Sequence, residues 1–146
     1  MRLFTQNVKV EALGRAPLFE GLSKKELREL ARATEDLKIE AGTVLCREGS
    51  LGREFFVIVD GVVEVTKDGR RLATRKAGEF FGEIALITTT KRTATVTAKT
   101  PIRCFILTRG DFRRVLDENP TVERKVMQAL GERLLSYTED PDFEPR

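Results

Sequence analysis

One segment stands apart from its strand-like surroundings: residues 81–96, with the sequence FGEIALITTTKRTATV. It begins with Gly82 and Glu83, runs through one turn of small apolar residues, and reaches Arg92 just before a predicted strand. A helical turn presents N–H groups and the positive end of a dipole. With a guanidinium that holds two oxygens, this arrangement binds phosphate. Glu83 suits such a site if it accepts hydrogen bonds from hydroxyl groups of the same ligand. A ligand that has both a phosphate and sugar hydroxyls indicates a nucleotide.

The residues on both sides of this segment alternate with a period of two, which predicts strands. Turn residues separate the runs, and Asp68-Gly69 is typical of a tight hairpin because glycine adopts positive φ easily. Seven or eight strands at this spacing indicate a sandwich, jelly roll or barrel. The predicted strands cover residues 37–40, 43–46, 55–59, 62–66, 71–75, 94–98 and 102–107.

Helices are predicted at both ends of the β region. Ser23 and Glu26 have capping-box spacing, which predicts a helix over 24–35. After the last strand a short helix is expected, and Pro120 permits a new one from about residue 121. A short apolar seam on this last helix, barely two heptads long, can pack on its own domain or on a twin helix in a homodimer. The seam consists of Met127, Leu130, Leu134 and Tyr137.

Composition narrows the function classes. A chain of 146 residues favours one domain. The net charge of +3 is small and the basic residues are scattered, so neither nucleic-acid nor membrane binding is indicated. Without histidine, a cupin-like metal enzyme is disfavoured. Cys46 and Cys104 lack metal-ligand spacing and are predicted to be reduced core thiols of a cytoplasmic protein. No apolar run reaches membrane-span length, and the first 20 residues lack a signal-peptide core.

The segment FGEIALI at 81–87, a four-residue spacer and RTATV at 92–96 resemble the phosphate-binding cassette of cyclic nucleotide-binding domains. That family includes bacterial catabolite activator protein, regulatory subunits of cyclic-AMP-dependent protein kinase, and cyclic-nucleotide-gated channels. The resemblance covers about residues 17–138. It implies a mainly β fold with flanking α: an eight-stranded, jelly-roll-like β-roll with an N-terminal helix, a short phosphate-binding helix, and C-terminal hinge and lid helices.

The resemblance also implies how the chain is divided. Residues 1–146 are expected to form a single cyclic nucleotide-binding domain. Its parts are an N-terminal helical segment (1–36), the β-roll with the cassette at 81–96 (37–107), the C-terminal helices (108–138) and a loose tail (139–146).

The family's roles are carried over to the cassette residues of this chain. Glu83 is expected to accept a hydrogen bond from the ribose 2′-hydroxyl, and Arg92 to pair with the exocyclic oxygens of the cyclic phosphate. Gly82 allows close approach of the backbone, and the Ala85 amide is expected to donate to the phosphate. Thr93 is expected to donate its hydroxyl to the phosphate or to contact the amino group of a syn guanine.

The remaining expected ligand contacts lie around the base. Val65 and Leu72 are expected to form an apolar wall against the purine, and Ile84 belongs to the ligand-binding set through its place in the turn. Tyr137 and Thr138 fall where related regulators cap the base.

Two positions depart from the family's usual pattern. Lys91 stands where many members have proline, which adds positive charge near the phosphate but removes a restraint on φ. At Thr93, alanine is common in kinase domains selective for cyclic AMP and threonine in those selective for cyclic GMP, but bacterial cyclic-AMP receptors also have a hydroxyl residue. Cyclic AMP is the expected ligand, with cyclic GMP as the alternative.

The resemblance implies a non-catalytic receptor or sensor, without a cofactor, that transmits binding through its C-terminal helices. The alternatives are a cyclic-GMP-selective sensor and the regulatory subunit of a separate effector protein, which the sequence does not identify. Only nine residues follow Tyr137, so no DNA-binding domain of the catabolite activator type is expected after it and the module is predicted to stand alone.

Overall fold

Two antiparallel sheets of four strands each form the centre of the computed structural model. The structure describes the backbone of residues 2–88 and 91–139 and the side chains of residues 6–88 and 91–132. The strand orders are β1-β8-β3-β6 in the first sheet and β2-β7-β4-β5 in the second. Their bounds are β1 Glu35–Ile39, β2 Val44–Cys46, β3 Glu54–Asp60, β4 Val62–Lys67, β5 Arg70–Lys76, β6 Phe80–Phe81, β7 Thr95–Ala98 and β8 Ile102–Thr108. The predicted mainly β, eight-stranded fold is confirmed.

The helices lie before and after the strands, apart from one short turn between them. They are α1 Arg2–Arg15, α2 Lys24–Arg32, α3 Arg109–Glu118 and α4 Pro120–Glu139, with 3₁₀ turns at Pro17–Phe19 and Glu83–Leu86. Within the described residues, no helix is both long enough and apolar enough to cross a bilayer.

Strand β3 is buried on both faces, because successive side chains of a strand point to opposite sides. Phe55 and Val57 pack in a cluster with the helices, whereas Phe56 and Ile58 pack between the two sheets. Strand β8 alternates in the same way. The first sheet therefore separates a helix-side core from the interior of the roll. An element that contacts β3 can pack against either of these two cores.

Local sequence features form as expected. The capping box is present: the Ser23 hydroxyl accepts from the Glu26 amide at 3.2 Å, and the Glu26 carboxylate accepts from the Ser23 amide at 2.8 Å. Asp68 and Gly69 join β4 to β5 with φ values of 52° and 77°. Both angles lie in the left-handed region required by a two-residue type I′ turn.

Helix α1 lies in the expected N-terminal helical segment, and buried Ala12 and Leu13 hold it against the domain. Two other elements differ from the sequence expectations. Helix α2 ends at Arg32 rather than at 35, and the Thr34 hydroxyl donates to the Ala31 carbonyl at 2.7 Å just before β1 begins. Strand β6 was not predicted, since its two residues are too few to show alternation.

Both cysteines are free and buried, as predicted. Cys46 lies between the sheets in β2, and Cys104 lies there in β8. Burial, which disfavours the thiolate, raises the pKa of each thiol to about 11. Neither thiol is therefore a nucleophile near neutral pH.

Candidate functional site

The 81–96 segment leaves the first sheet at Gly82. Strand β6 pairs with β3, and Phe81 stacks on Phe56 with ring centroids 4.7 Å apart. Gly82 then has a φ of 86°, and residues Glu83–Leu86 form the 3₁₀ turn. A Cβ at Gly82 would lie 2.7 Å from the Glu54 carbonyl oxygen and 2.6 Å from Arg92 Nη1. Only glycine fits this position, for conformational and steric reasons together.

Arg92 is held from several sides. Its Nη2 donates to the Glu54 carbonyl at 2.7 Å. Its amide donates to the Ser50 carbonyl at 2.7 Å, and its own carbonyl accepts from the Gly49 amide at 2.8 Å. Gly52 lies directly against the guanidinium, because a Cβ there would be 2.6 Å from Arg92 Nε. The half-buried guanidinium is therefore positioned before any ligand is bound.

Arg92 lies between two adjoining cavities. The first, here called the turn-side cavity, has a volume of about 370 Å³ and is lined by Gly52, Phe80, Phe81, Gly82, Glu83, Ile84, Ala85, Lys91, Arg92 and Thr93. The second, here called the sheet-side cavity, has a volume of about 250 Å³ and is lined by Cys46, Val65, Arg75, Phe80, Phe81, Gly82, Arg92, Thr93, Ala94 and Val96. The two cavities share five residues, so together they form one groove.

Most of the predicted cassette residues meet at this groove. Gly82, Glu83, Ile84, Ala85, Arg92 and Thr93 all line the turn-side cavity. Glu83 is half-buried and its Oε2 atom is shielded from solvent. Ile84 and Thr93 are exposed. The turn-side cavity thus brings a carboxylate and a guanidinium together, as a sugar–phosphate ligand requires.

The Ala85 amide has a different partner from the one expected. It donates to the Gly82 carbonyl at 3.0 Å within the 3₁₀ turn. To donate to a phosphate, this N–H must share its hydrogen or leave the Gly82 carbonyl, so the role assigned to Ala85 remains a prediction.

The residues predicted to contact the base are only partly brought together. Val65 lines the sheet-side cavity, whereas Leu72 lines neither cavity and is 59% exposed. The cause is a β-bulge: β5 residues 71 and 73 pair with Thr66 and Val65, which are adjacent in β4, so Leu72 is the extra residue. The side chains of Tyr137 and Thr138, predicted to cap the base, lie outside the described residues.

The sequence interpretation missed two arginines, one that lines the groove and one that donates to carbonyls of residues that line it. Arg75 lines the sheet-side cavity, and it lies directly opposite the fully buried Val63. Directly opposite residues share a sheet face, so the β4–β5 register could have identified it. Arg109 donates to the Ala85 carbonyl at 2.8 Å and to the Gly52 carbonyl at 2.8 Å. No local pattern indicates that contact, since its partners are distant in sequence.

The comparisons with known proteins agree with this geometry. The family model described as "Cyclic nucleotide-binding domain" matches residues 36–119. The chain therefore belongs to the cyclic nucleotide-binding domain family, and the predicted resemblance is confirmed.

Among curated proteins, the chain is similar to a cAMP-dependent protein kinase regulatory subunit of Schizosaccharomyces pombe, with 36% identity over 71% of this chain and 26% of the relative. It is also similar to a cyclic nucleotide-gated potassium channel of Rhizobium etli, with 36% identity over 80% of this chain and 33% of the channel. The match thus spans about a quarter to a third of the length of these relatives.

Two solved structures are also similar. The N-terminal domain of a transcriptional regulator from Streptomyces coelicolor superposes with a TM-score of 0.80 at 29% identity, over 88% of this chain and 93% of that one. The regulatory domain of Toxoplasma gondii PKA, solved with cAMP, superposes with a TM-score of 0.69 at 32% identity, over 75% of this chain and 44% of that one.

Proposed function

We propose that this chain is a non-catalytic receptor that binds cyclic AMP in the groove around Arg92. The observation that carries the proposal is the placement of the Arg92 guanidinium, fixed by Glu54 and Gly52, beside a turn that begins at Gly82. An anion between Arg92 and this turn meets positive charge from both.

Each part of the ligand has a matching part of the groove. The cyclic phosphate contacts Arg92, whose bond to the Glu54 carbonyl uses one of five N–H donors. Glu83, which also lines the turn-side cavity, accepts from the ribose 2′-hydroxyl. The purine enters the sheet-side cavity, where Val65 and Val96 provide apolar surface.

Cyclic AMP is preferred because the PKA regulatory domain of Toxoplasma gondii was solved with cAMP and the relative from Schizosaccharomyces pombe is named a cAMP-dependent kinase subunit. Cyclic GMP is the second candidate, favoured by Arg75 and Thr93 in the sheet-side cavity. An arginine reads the O6 and N7 acceptors of guanine in a bidentate manner, whereas adenine presents an amino donor at position 6.

Isothermal calorimetry with both nucleotides tests the proposal. At about 100 times the Kd, the ligand should stabilise the fold by about 2.7 kcal/mol, which raises the Tm by several degrees. Arg92→Ala should lose about 2–5 kcal/mol of binding free energy. The exposed Arg113→Ala on α3 is the charge-matched control and should bind normally. Absence of both heat and thermal shift at millimolar cyclic AMP and cyclic GMP would refute the proposal.

We further propose that binding is transmitted through α3 and α4. Leu86, at the end of the 3₁₀ turn, shares the helix-side core with Phe112 and Val115 of α3 and with Val122 of α4. An inward shift of the turn therefore repacks these helices, and the end of α4, with Tyr137 and Thr138, acts as a lid. Hydrogen exchange of residues 108–138 with and without cyclic AMP should show altered protection. Identical protection would contradict the coupling.

The output of such a receptor is a separate effector protein in the cytoplasm. The similarity to kinase regulatory subunits and channels supports an effector, and the two free buried thiols support a reducing compartment.

We also propose that residues 1–146 act as one domain and that α4 forms a homodimer seam. Met127 supports the seam because it is 56% exposed, whereas Leu130 already packs against its own core. Light scattering across a dilution series measures the dimer.

A further inference from the structure

Arg109, the first residue of α3, donates to carbonyl groups of two segments that line the turn-side cavity. Its Nε donates to the Ala85 carbonyl at 2.8 Å, and its Nη2 donates to the Gly52 carbonyl at 2.8 Å and to the Thr88 carbonyl at 3.0 Å. Its amide also donates to the Arg53 carbonyl at 2.9 Å. One half-buried guanidinium thus joins the 50–53 loop, the 83–88 turn and α3.

Two of the carbonyls that Arg109 holds, those of Gly52 and Ala85, belong to residues that line the turn-side cavity together with Arg92. Gly52 lies against the Arg92 guanidinium, and Ala85 lies in the 3₁₀ turn. If either segment moved away, the gap between Arg92 and the turn would widen. The separation of these two walls decides whether one phosphate can contact both.

Only an arginine can make this set of contacts. A guanidinium has five N–H donors in a fixed plane, so it can serve three carbonyls on two segments at fixed angles. A lysine ammonium at the same position keeps the charge but has a different donor geometry. The charge and the geometry of Arg109 can therefore be separated by substitution.

We propose that Arg109 is a positioning residue for the phosphate: it sets the distance between the Gly52 loop and the 3₁₀ turn so that Arg92 grips one exocyclic oxygen in a defined orientation. This rests on the proposed function, because it concerns the same groove. The consequence is specific to the phosphate. Loss of Arg109 should weaken discrimination between the two exocyclic oxygens while leaving base recognition unchanged.

The test uses calorimetry on the full chain with cyclic AMP and with the Sp and Rp cyclic phosphorothioates, in which sulfur replaces one exocyclic oxygen or the other. The variants are Arg109→Lys and Arg109→Gln, with Arg113→Lys, an exposed arginine of the same helix, as the matched control. Arg109→Lys should lower the affinity for cyclic AMP about tenfold, as expected for a lost charge-assisted hydrogen bond. The ratio of Sp to Rp affinities should move towards one, and the ratio of cyclic AMP to cyclic GMP should stay constant.

A purely structural role gives a different result. Arg109→Lys would then lower the Tm and weaken both diastereomers by the same factor, and this outcome would overturn the inference, as would normal binding by both variants. If Arg109→Gln does not fold, Arg109→Lys decides alone, since it keeps the charge. Failure of the wild-type chain to bind any of these nucleotides would instead refute the proposed function, so the two failures are distinguishable.

Discussion

The turn-side and sheet-side cavities adjoin at Arg92 but are built in different ways. The turn-side cavity is made by backbone: glycines pack on the guanidinium, and carbonyls accept from Arg92 and Arg109. The sheet-side cavity is made by side chains of separate strands, such as Cys46, Val65 and Arg75. Backbone positions are fixed by the fold, whereas side chains can be exchanged one at a time. Phosphate recognition should therefore be rigid and base recognition adjustable.

Among the residues that pack against Arg92, the largest effect of substitution is expected at Gly82 in the turn-side cavity. Gly82→Ala places a Cβ 2.7 Å from the Glu54 carbonyl oxygen, so backbone must move. The control is Gly69→Ala, which has a similar φ of 77° but no atom within 4 Å. Both variants suffer the left-handed cost of about 1–2 kcal/mol. Gly82→Ala should in addition lose about 100-fold in nucleotide affinity, or ~2.7 kcal/mol.

Thermal denaturation and calorimetry on the two glycine variants separate steric conflict from backbone strain. Equal stability and equal affinity in Gly82→Ala and Gly69→Ala would show that close packing around Arg92 is unimportant.

A smaller effect is expected at Gly52, which has no positive φ. The three atoms nearest to a Cβ there all belong to the Arg92 side chain, at 2.6–2.9 Å. Because that side chain can turn away, Gly52→Ala should preserve the Tm but lower nucleotide affinity about tenfold, or ~1.4 kcal/mol. Gly21→Ala, with nothing within 4 Å, is the control. Undiminished affinity of Gly52→Ala would mean that the observed position of Arg92 is not needed for binding.

Base selectivity should change without loss of phosphate binding when Arg75 is replaced. Arg75→Ala should shift the ratio of cyclic GMP to cyclic AMP affinity about tenfold towards cyclic AMP, within the ~1–3 kcal/mol expected for a bidentate arginine–guanine contact. Arg71→Ala, an exposed arginine of the same strand, is the control. Competition calorimetry with both nucleotides measures the ratio. A parallel loss for both nucleotides would place Arg75 in phosphate binding and remove the distinction between the cavities.

The smallest effect lies away from the groove, at Glu26. The Lys125 ammonium donates to its carboxylate at 2.8 Å and lowers the pKa of Glu26 below its ordinary value of 4.5. A lowered pKa in the folded state contributes stability above the unfolded-state pKa, and this contribution is lost as the pH falls through the folded-state value. Glu26→Gln should therefore cost about 0.5–1 kcal/mol near neutral pH and less in acid.

Urea unfolding near pH 7 and at about pH 3 measures the contribution of Glu26, with Glu29→Gln of the same helix as the control. Nucleotide affinity should be unchanged, because Glu26 lines neither cavity. A change in affinity would show that the α2–α4 contact is coupled to the groove.

The 81–96 segment could be interpreted from sequence because its chemistry is local. Gly82, Glu83 and Arg92 lie within eleven residues, and a glycine, an acid and an arginine at that spacing indicate an anion and a hydroxyl ligand. The same holds for the capping box at Ser23 and the hairpin at Asp68-Gly69, where neighbouring residues supply both partners. The strands were predictable because alternation reports which face is buried.

The rest depended on contacts between distant residues. A β-bulge left Leu72 outside both cavities, and the β4–β5 register brought Arg75 to the sheet-side cavity. Arg109 reaches the Gly52 carbonyl across 57 residues of sequence. Side-chain type and spacing therefore predicted the residues of the turn-side cavity, because one short segment places them together. Strand register and helix packing decided which residues line the sheet-side cavity and which contacts Arg109 makes, because burial and backbone hydrogen bonding fix these positions only when the whole chain is folded.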